Sequence, residues 1–184
     1  KPDIDINRRN FIKLSLVLTG ALLLNKITGV LSLASGIASD TSAVSAPSRT
    51  PPVGTKEYRN ARYGFSLFHP SDLSVSTFDE GGGASTITFQ NPEKAEGFQL
   101  FIVPHSDSQV SEERFNQDVP SGVRESLTNI AVDGATGAEF YSTHTALGDT
   151  HEVWLTRGGF LYELTTHRSL DTWLNSVVPT LKFV

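Results

Sequence analysis

Between Arg62 and His69 the apolar side chains fall on every second residue, at Tyr63, Phe65 and Leu67, and the run stops at Pro70. That spacing predicts a strand leading into a turn at Ser71-Asp72. Leu73 to Phe78 and Ala84 to Gln90 are two β-rich runs separated by Asp79-Glu80-Gly81-Gly82-Gly83, which predicts a hairpin. Phe98 to Val103 is a compact apolar strand ended by Pro104. The spacing then changes. Ser111 can cap a helix, Glu112 and Glu113 suit a first turn, and Phe115 and Val119 lie four apart before Pro120 and Gly122 interrupt, so two short helices are expected between Val110 and Leu127. Strands follow at Ile130 to Val132, Ala138 to Thr145, His151 to Arg157 and Phe160 to His167. A closing helix over Asp171 to Val178, with Leu170, Trp173, Leu174 and Val177 at helical spacing, precedes Leu181-Lys182-Phe183.

Strands in succession, one helical insertion and a last helix predict an α+β domain on a mainly antiparallel sheet. Two-residue turns at Leu147-Gly148 and Gly158-Gly159 would set His144 opposite His151, Phe140 opposite Leu155, Leu155 opposite Tyr162 and Val153 opposite Leu164. One face of these strands is core. The other carries Tyr141, Trp154 and Glu163, so something must cover it: either the closing helix through Trp173 or Leu174, or a partner for which Tyr141 and Trp154 form the binding site.

The first 46 residues are different material. Asn7-Arg8-Arg9-Asn10-Phe11-Ile12-Lys13 leads into an apolar run that ends at Leu24, before Asn25 and Lys26. Phe11 to Leu24 is 14 residues, against roughly 20 for a bilayer span, and extending it would place Lys26 in the membrane at about 2.5–3.5 kcal/mol. The pattern is that of an export signal, and the arginine pair followed by x-Phe-Ile-Lys resembles a twin-arginine leader. Cleavage is expected after Ala46 or after Ala34. The expected organisation is therefore a leader and small-residue region over 1–46, a Pro/Ser-rich linker over 47–56, and a single domain over 57–184. The location would be periplasmic, lumenal or extracellular, with membrane tethering if the leader stays attached.

Charge and composition narrow the chemistry. Five cations against three acids give residues 1–46 a charge of +2, leaving −7 for the rest of a chain whose total is −5. An acidic domain with no basic run argues against nucleic-acid binding. No cysteine is present, which excludes disulfides, thiolate metal sites and thiol nucleophiles. No Gly-x-Ser-x-Gly elbow or Gly-Lys-Ser/Thr phosphate loop appears, so no catalytic or cofactor-binding residue is assigned. His144 and His151, if opposite one another with Asp149 and Glu152 nearby, could share a divalent metal such as zinc, manganese or calcium; the plainer reading is a polar cross-strand pair.

Tyr63-Gly64-Phe65-Ser66-Leu67 with His69-Pro70-Ser71-Asp72 resembles the opening strand of PsbP-like domains. Gly148-Asp149-Thr150-His151 through Gly159-Phe160-Leu161-Tyr162 resembles their later hairpin, and Trp173 with Thr180-Leu181-Lys182-Phe183 their closing helix and strand. Leu73 and His69 depart from the family pattern, where an aromatic is common. The resemblance implies an α/β/α sandwich (Mog/PsbP-like) around an antiparallel sheet, on the periplasmic or lumenal side. Photosynthetic members bind the lumenal face of photosystem II and help retain its manganese, calcium and chloride. It implies a non-catalytic binding or assembly module, monomeric in solution, whose partner is a membrane protein complex such as a photosystem. A metal-dependent extracytoplasmic hydrolase using His144 and His151 and a small-ligand carrier are the alternatives.

Overall fold

The computed structural model describes residues 49–119, 121–144 and 148–184. The expected leader, with Arg8 and Arg9 and both cleavage sites, lies outside them. No helix among the described residues is long and apolar enough to cross a membrane.

The β-rich runs form two sheets. Strands β1 (Thr55–Asn60), β2 (Phe65–Pro70) and β10 (Lys182–Phe183) make a small antiparallel sheet in the order β1-β2-β10. The larger sheet has seven antiparallel strands: β3 (Ser74–Gly81), β4 (Ala84–Asn91), β5 (Glu96–Pro104), β6 (Glu125–Val132), β7 (Ala135–His144), β8 (Gly148–Arg157) and β9 (Phe160–His167). Their order is β3-β4-β5-β9-β8-β7-β6, so β9 is inserted between β5 and β8 while the remaining neighbours are consecutive. Among the described residues two α-helices accompany the sheets, α1 (Glu112–Asp118) and α2 (Asp171–Val177), the latter flanked by short 3-10 turns.

Because side chains alternate along a strand, the large sheet has two distinct faces. On its front, Phe89, Phe98, Leu100, Ile102, Val153, Leu155, Tyr162 and Leu164 are buried against Phe65 and Leu67 of β2 and Leu174 and Val177 of α2. Phe89 stacks on Phe98 with ring centres 4.4 Å apart, and Trp173 meets Phe98 edge-on at 6.1 Å. On its back, Phe115 and Val119 of α1 pack against Phe101, Phe140, Trp154 and Leu161. The front layer is thus a three-stranded sheet with a helix beside it, where a plain α/β/α sandwich would have helices alone.

Three expectations change. The region after Pro120 has no second helix among the described residues: residues 125–132 form β6, and only α1 is helical there. Residues 49–56, part of the expected 47–56 linker, make contacts with the folded part. Strand β1 starts at Thr55, and Arg49 donates to the Thr180 carbonyl (2.7 Å), to Ser66 Oγ (3.1 Å) and to Glu57 Oε1 (3.3 Å), with its guanidinium 4.3 Å from the Phe68 ring. Finally, the β7–β8 register is displaced by three residues. Tyr141 faces His151, Phe140 faces Glu152 and His144 faces Gly148, while Leu147 of the expected turn lies outside the described residues. The β8–β9 register is the expected one, with Leu155 opposite Tyr162 and Val153 opposite Leu164, around Gly158 and Gly159, both at positive φ as a tight hairpin turn requires.

Candidate functional site

An odd register shift moves a whole set of side chains to the other face, and this decides the fate of the histidine pair. His151 belongs to the front face and is 0% exposed; its Nε2 lies 2.8 Å from Glu139 Oε1 and its ring 5.0 Å from that of Tyr141. His144 belongs to the back face, where burial lowers its pKa. The two do not meet, and no group of three or more metal-ligating side chains occurs among the described residues.

The same shift separates Tyr141 from Trp154. Tyr141 sits on the front, donates its hydroxyl to Asp171 Oδ2 at the start of α2 (3.2 Å) and lies under the Arg168 guanidinium at 4.4 Å. Burial and the Asp171 carboxylate raise its pKa. Trp154 sits on the back, 1% exposed, stacked on Phe115 (4.9 Å, 14° between planes) with Phe140 edge-on at 5.4 Å. Its cover is α1, from the first helical insertion; the closing helix packs on the opposite face.

Beside Trp154 lies the least ordinary chemistry in the domain, and sequence reasoning did not assemble it. In α1, Arg114 and Asp118 are four residues apart and form an ion pair. Arg114 Nη2 also reaches Glu163 Oε1 on β9 at 3.4 Å. One strand over, Glu152 on β8 accepts hydrogen bonds from Thr165 Oγ1 (2.7 Å) and Trp154 Nε1 (3.3 Å). Asp118, Glu152 and Glu163 are all buried. Arg114 thus lies between Asp118 and Glu163, and Glu152 adds a third buried carboxyl group beside them. Burial disfavours their charged forms: Glu152 is pushed up to about 7 despite the hydrogen bonds from Thr165 and Trp154. Glu163 is raised well above the usual carboxylate range by burial and by Asp118, against the pull of Arg114. Asp118 is raised by burial although Arg114 opposes it. Burial thus favours the protonated forms of these carboxyl groups.

A small cavity adjoins it, lined by Asp118, Ser142, His144, Thr150, Glu152 and Trp154 among others, with about 10 Å³ of space, on the order of one water. The cavity is too small for a substrate-sized molecule. A wider, uncharged groove of about 430 Å³ lies between residues 108–110, Phe115 and strands β6 and β7. The sequence signal for the cluster was the pairing of Arg114 with Asp118 on either side of Phe115, combined with two glutamates inside otherwise apolar strands. His69, the family departure, is a buried core side chain: Nδ1 lies 2.8 Å from the Pro70 carbonyl, and the ring packs 5.1 Å from Phe89.

No protein-family model matches the chain, and no curated protein matches it. Among solved structures it is similar to the solution structure of cyanobacterial PsbP (CyanoP) from Synechocystis sp. PCC 6803, with 12% identity and a TM-score of 0.49 over 77% of this chain and 99% of that one.

Proposed function

We propose that the chain is an exported, non-catalytic PsbP-like binding or assembly module that acts on the periplasmic or lumenal side and associates with a membrane protein complex such as a photosystem. The observation that carries this reading is the convergence of the three separate sequence pieces on which the family resemblance rests. Tyr162 donates its hydroxyl to the Tyr63 carbonyl at 2.7 Å, Val184 N donates to the Gly64 carbonyl at 2.8 Å, and the Phe68 amide donates to Thr180 Oγ1 at 2.9 Å. Phe160 and Phe183 close the same corner against Tyr63 and Tyr162, with ring centres 5.2 and 5.1 Å apart. Pieces a hundred residues apart in the chain thus behave as one structural unit. The acid cluster offers no substrate access, which favours binding over turnover.

The test is purification of the tagged full chain from its native membranes in mild detergent. A membrane complex retained in fixed stoichiometry is the expected result. Turnover of an ester or phosphate substrate by the purified chain, with no retained partner, would overturn the reading.

A further inference from the structure

We propose that α1 is a flap that stays on the sheet while protons held among the Asp118, Glu152 and Glu163 carboxyl groups keep the cluster's charge balanced against Arg114, and lifts when the cluster loses those protons, uncovering Trp154 and Phe140. This property belongs to the chain itself and does not depend on the function proposed above.

The flap has few means of its own to stay helical. Seven residues are far below the length at which an isolated helix is stable in water, so its order comes from docking. The docking has an apolar half, Phe115 and Val119 against Trp154, Phe140 and Leu161, and a polar half, Arg114 and Asp118 against Glu163. The two halves respond differently to pH. Apolar packing is indifferent to it. The polar half carries one positive charge against three ionisable acids once Glu152, directly behind Trp154, is included, and full ionisation would leave two uncompensated negative charges out of water. Such a cost is relieved by protonation or by exposure.

The remaining charged neighbours do not cancel it. His105 attracts Asp118 from the preceding loop, as the smallest of the influences on that carboxyl. His144 lines the cavity, but burial works against its charged form. Arg124 pairs with Glu112 on the outer surface of the flap (2.7 and 3.0 Å) and lies over Phe115, so its charge is already matched.

The hinges are in place as well. The chain before α1 is pinned to the sheet by His105 N to the Gly159 carbonyl (2.8 Å) and by Thr156 Oγ1 to the Ser108 carbonyl (2.8 Å). Beyond the helix, Gly122 adopts φ +67°, a conformation open to glycine at no steric cost. Movement would be centred on α1 with its caps Ser111 and Val119.

The chain has two tryptophans, so Trp173→Phe leaves Trp154 as the only reporter. Acrylamide quenching of its fluorescence should rise at least threefold between pH 5.5 and 8.5 while the far-ultraviolet signal of the sheet stays constant. In the same background, Glu152→Gln with Glu163→Gln should keep the acid-side value throughout. Quenching that is flat in the parent, or that rises equally in the double variant, would overturn the proposal. A second measurement needs no substitution: hydrogen exchange of the unaltered chain, corrected for the intrinsic pH dependence of exchange. Protection of amides 112–119 should fall across that range while β8 and β9 remain protected; equal protection of all three at both pH values would refute the flap.

Discussion

The front and back faces of the seven-stranded sheet are built from the same strands, yet they bury different chemistry. The front is closed by stacked and edge-on aromatic rings, from Phe89 and Phe98 to Tyr162 and Phe183, with the hydroxyl-to-carbonyl bond of Tyr162 to Tyr63 at its centre and the His151–Glu139 and Tyr141–Asp171 pairs towards the β7 side. The back is closed by one short helix whose apolar contacts lie next to three buried carboxyl groups. Stability that comes from area removed from water is insensitive to pH, whereas stability that depends on a buried acid is linked to proton binding. One face should therefore set how stable the domain is, and the other how that stability changes with conditions.

The largest effect is expected on the front. Phe98→Ala removes a fully buried ring from both Phe89 and Trp173 and should cost about 3–5 kcal/mol. Denaturant titrations should give the same loss at pH 5 and pH 8. A loss that varied strongly with pH would break the distinction between the faces.

Next is Glu152→Gln on the back. Its folded-state pKa is raised from 4.5 to about 7, so the folded state keeps a proton that the unfolded chain releases. The stability associated with that proton is complete below pH 4.5 and is lost as pH rises through 7, at about 1.4 kcal/mol per pH unit. The loss reaches roughly 3 kcal/mol, or less if lifting of α1 solvates the carboxylate first. The glutamine variant should melt near the parent temperature at pH 4 and above it at pH 8. Parallel melting curves across that range would mean that Glu152 is not the proton-holding group.

The smallest effect sharpens the comparison by its absence. With His144 on the back and His151 on the front, zinc or manganese at neutral pH should leave the melting temperature unchanged. A metal-dependent rise abolished by His151→Ala would require the β7–β8 hairpin to pair in a different register.

What could be read from the sequence followed the strength of local signals. Gly158-Gly159 permits one tight turn, and the β8–β9 register was legible from it. At the other end of β8 a single glycine, Gly148, left the turn length open, and a three-residue error put His144 and Tyr141 of β7 on the wrong faces relative to His151 and Trp154. Strand β1 was hidden because Thr55–Asn60 is polar apart from Tyr58 and half exposed, so no alternation marks it. Strand β6 was shortened and its start given to a helix because Ser126 takes a positive φ and the pairing shifts between Glu125 and Thr128, an irregularity that breaks the period of two. The acid cluster was unreadable for another reason. Its members come from α1, β8 and β9, and only the tertiary arrangement shows that they are buried side by side.

The small sheet has a consequence for the order of events during synthesis. Its middle strand, β2, lies near the start of the domain, while one neighbour, β10, comes from residues 182 and 183, and Thr180 bonds both the amide and the carbonyl of Phe68. Contacts of such sequence separation close late, because the intervening chain must first be confined. While residues 174–183 are still held in the ribosomal tunnel, Tyr63, Phe65 and Leu67 lack part of their cover. Sealing of the front core is therefore a late step of folding, and until then the apolar side of β2 is open to whatever machinery meets the chain.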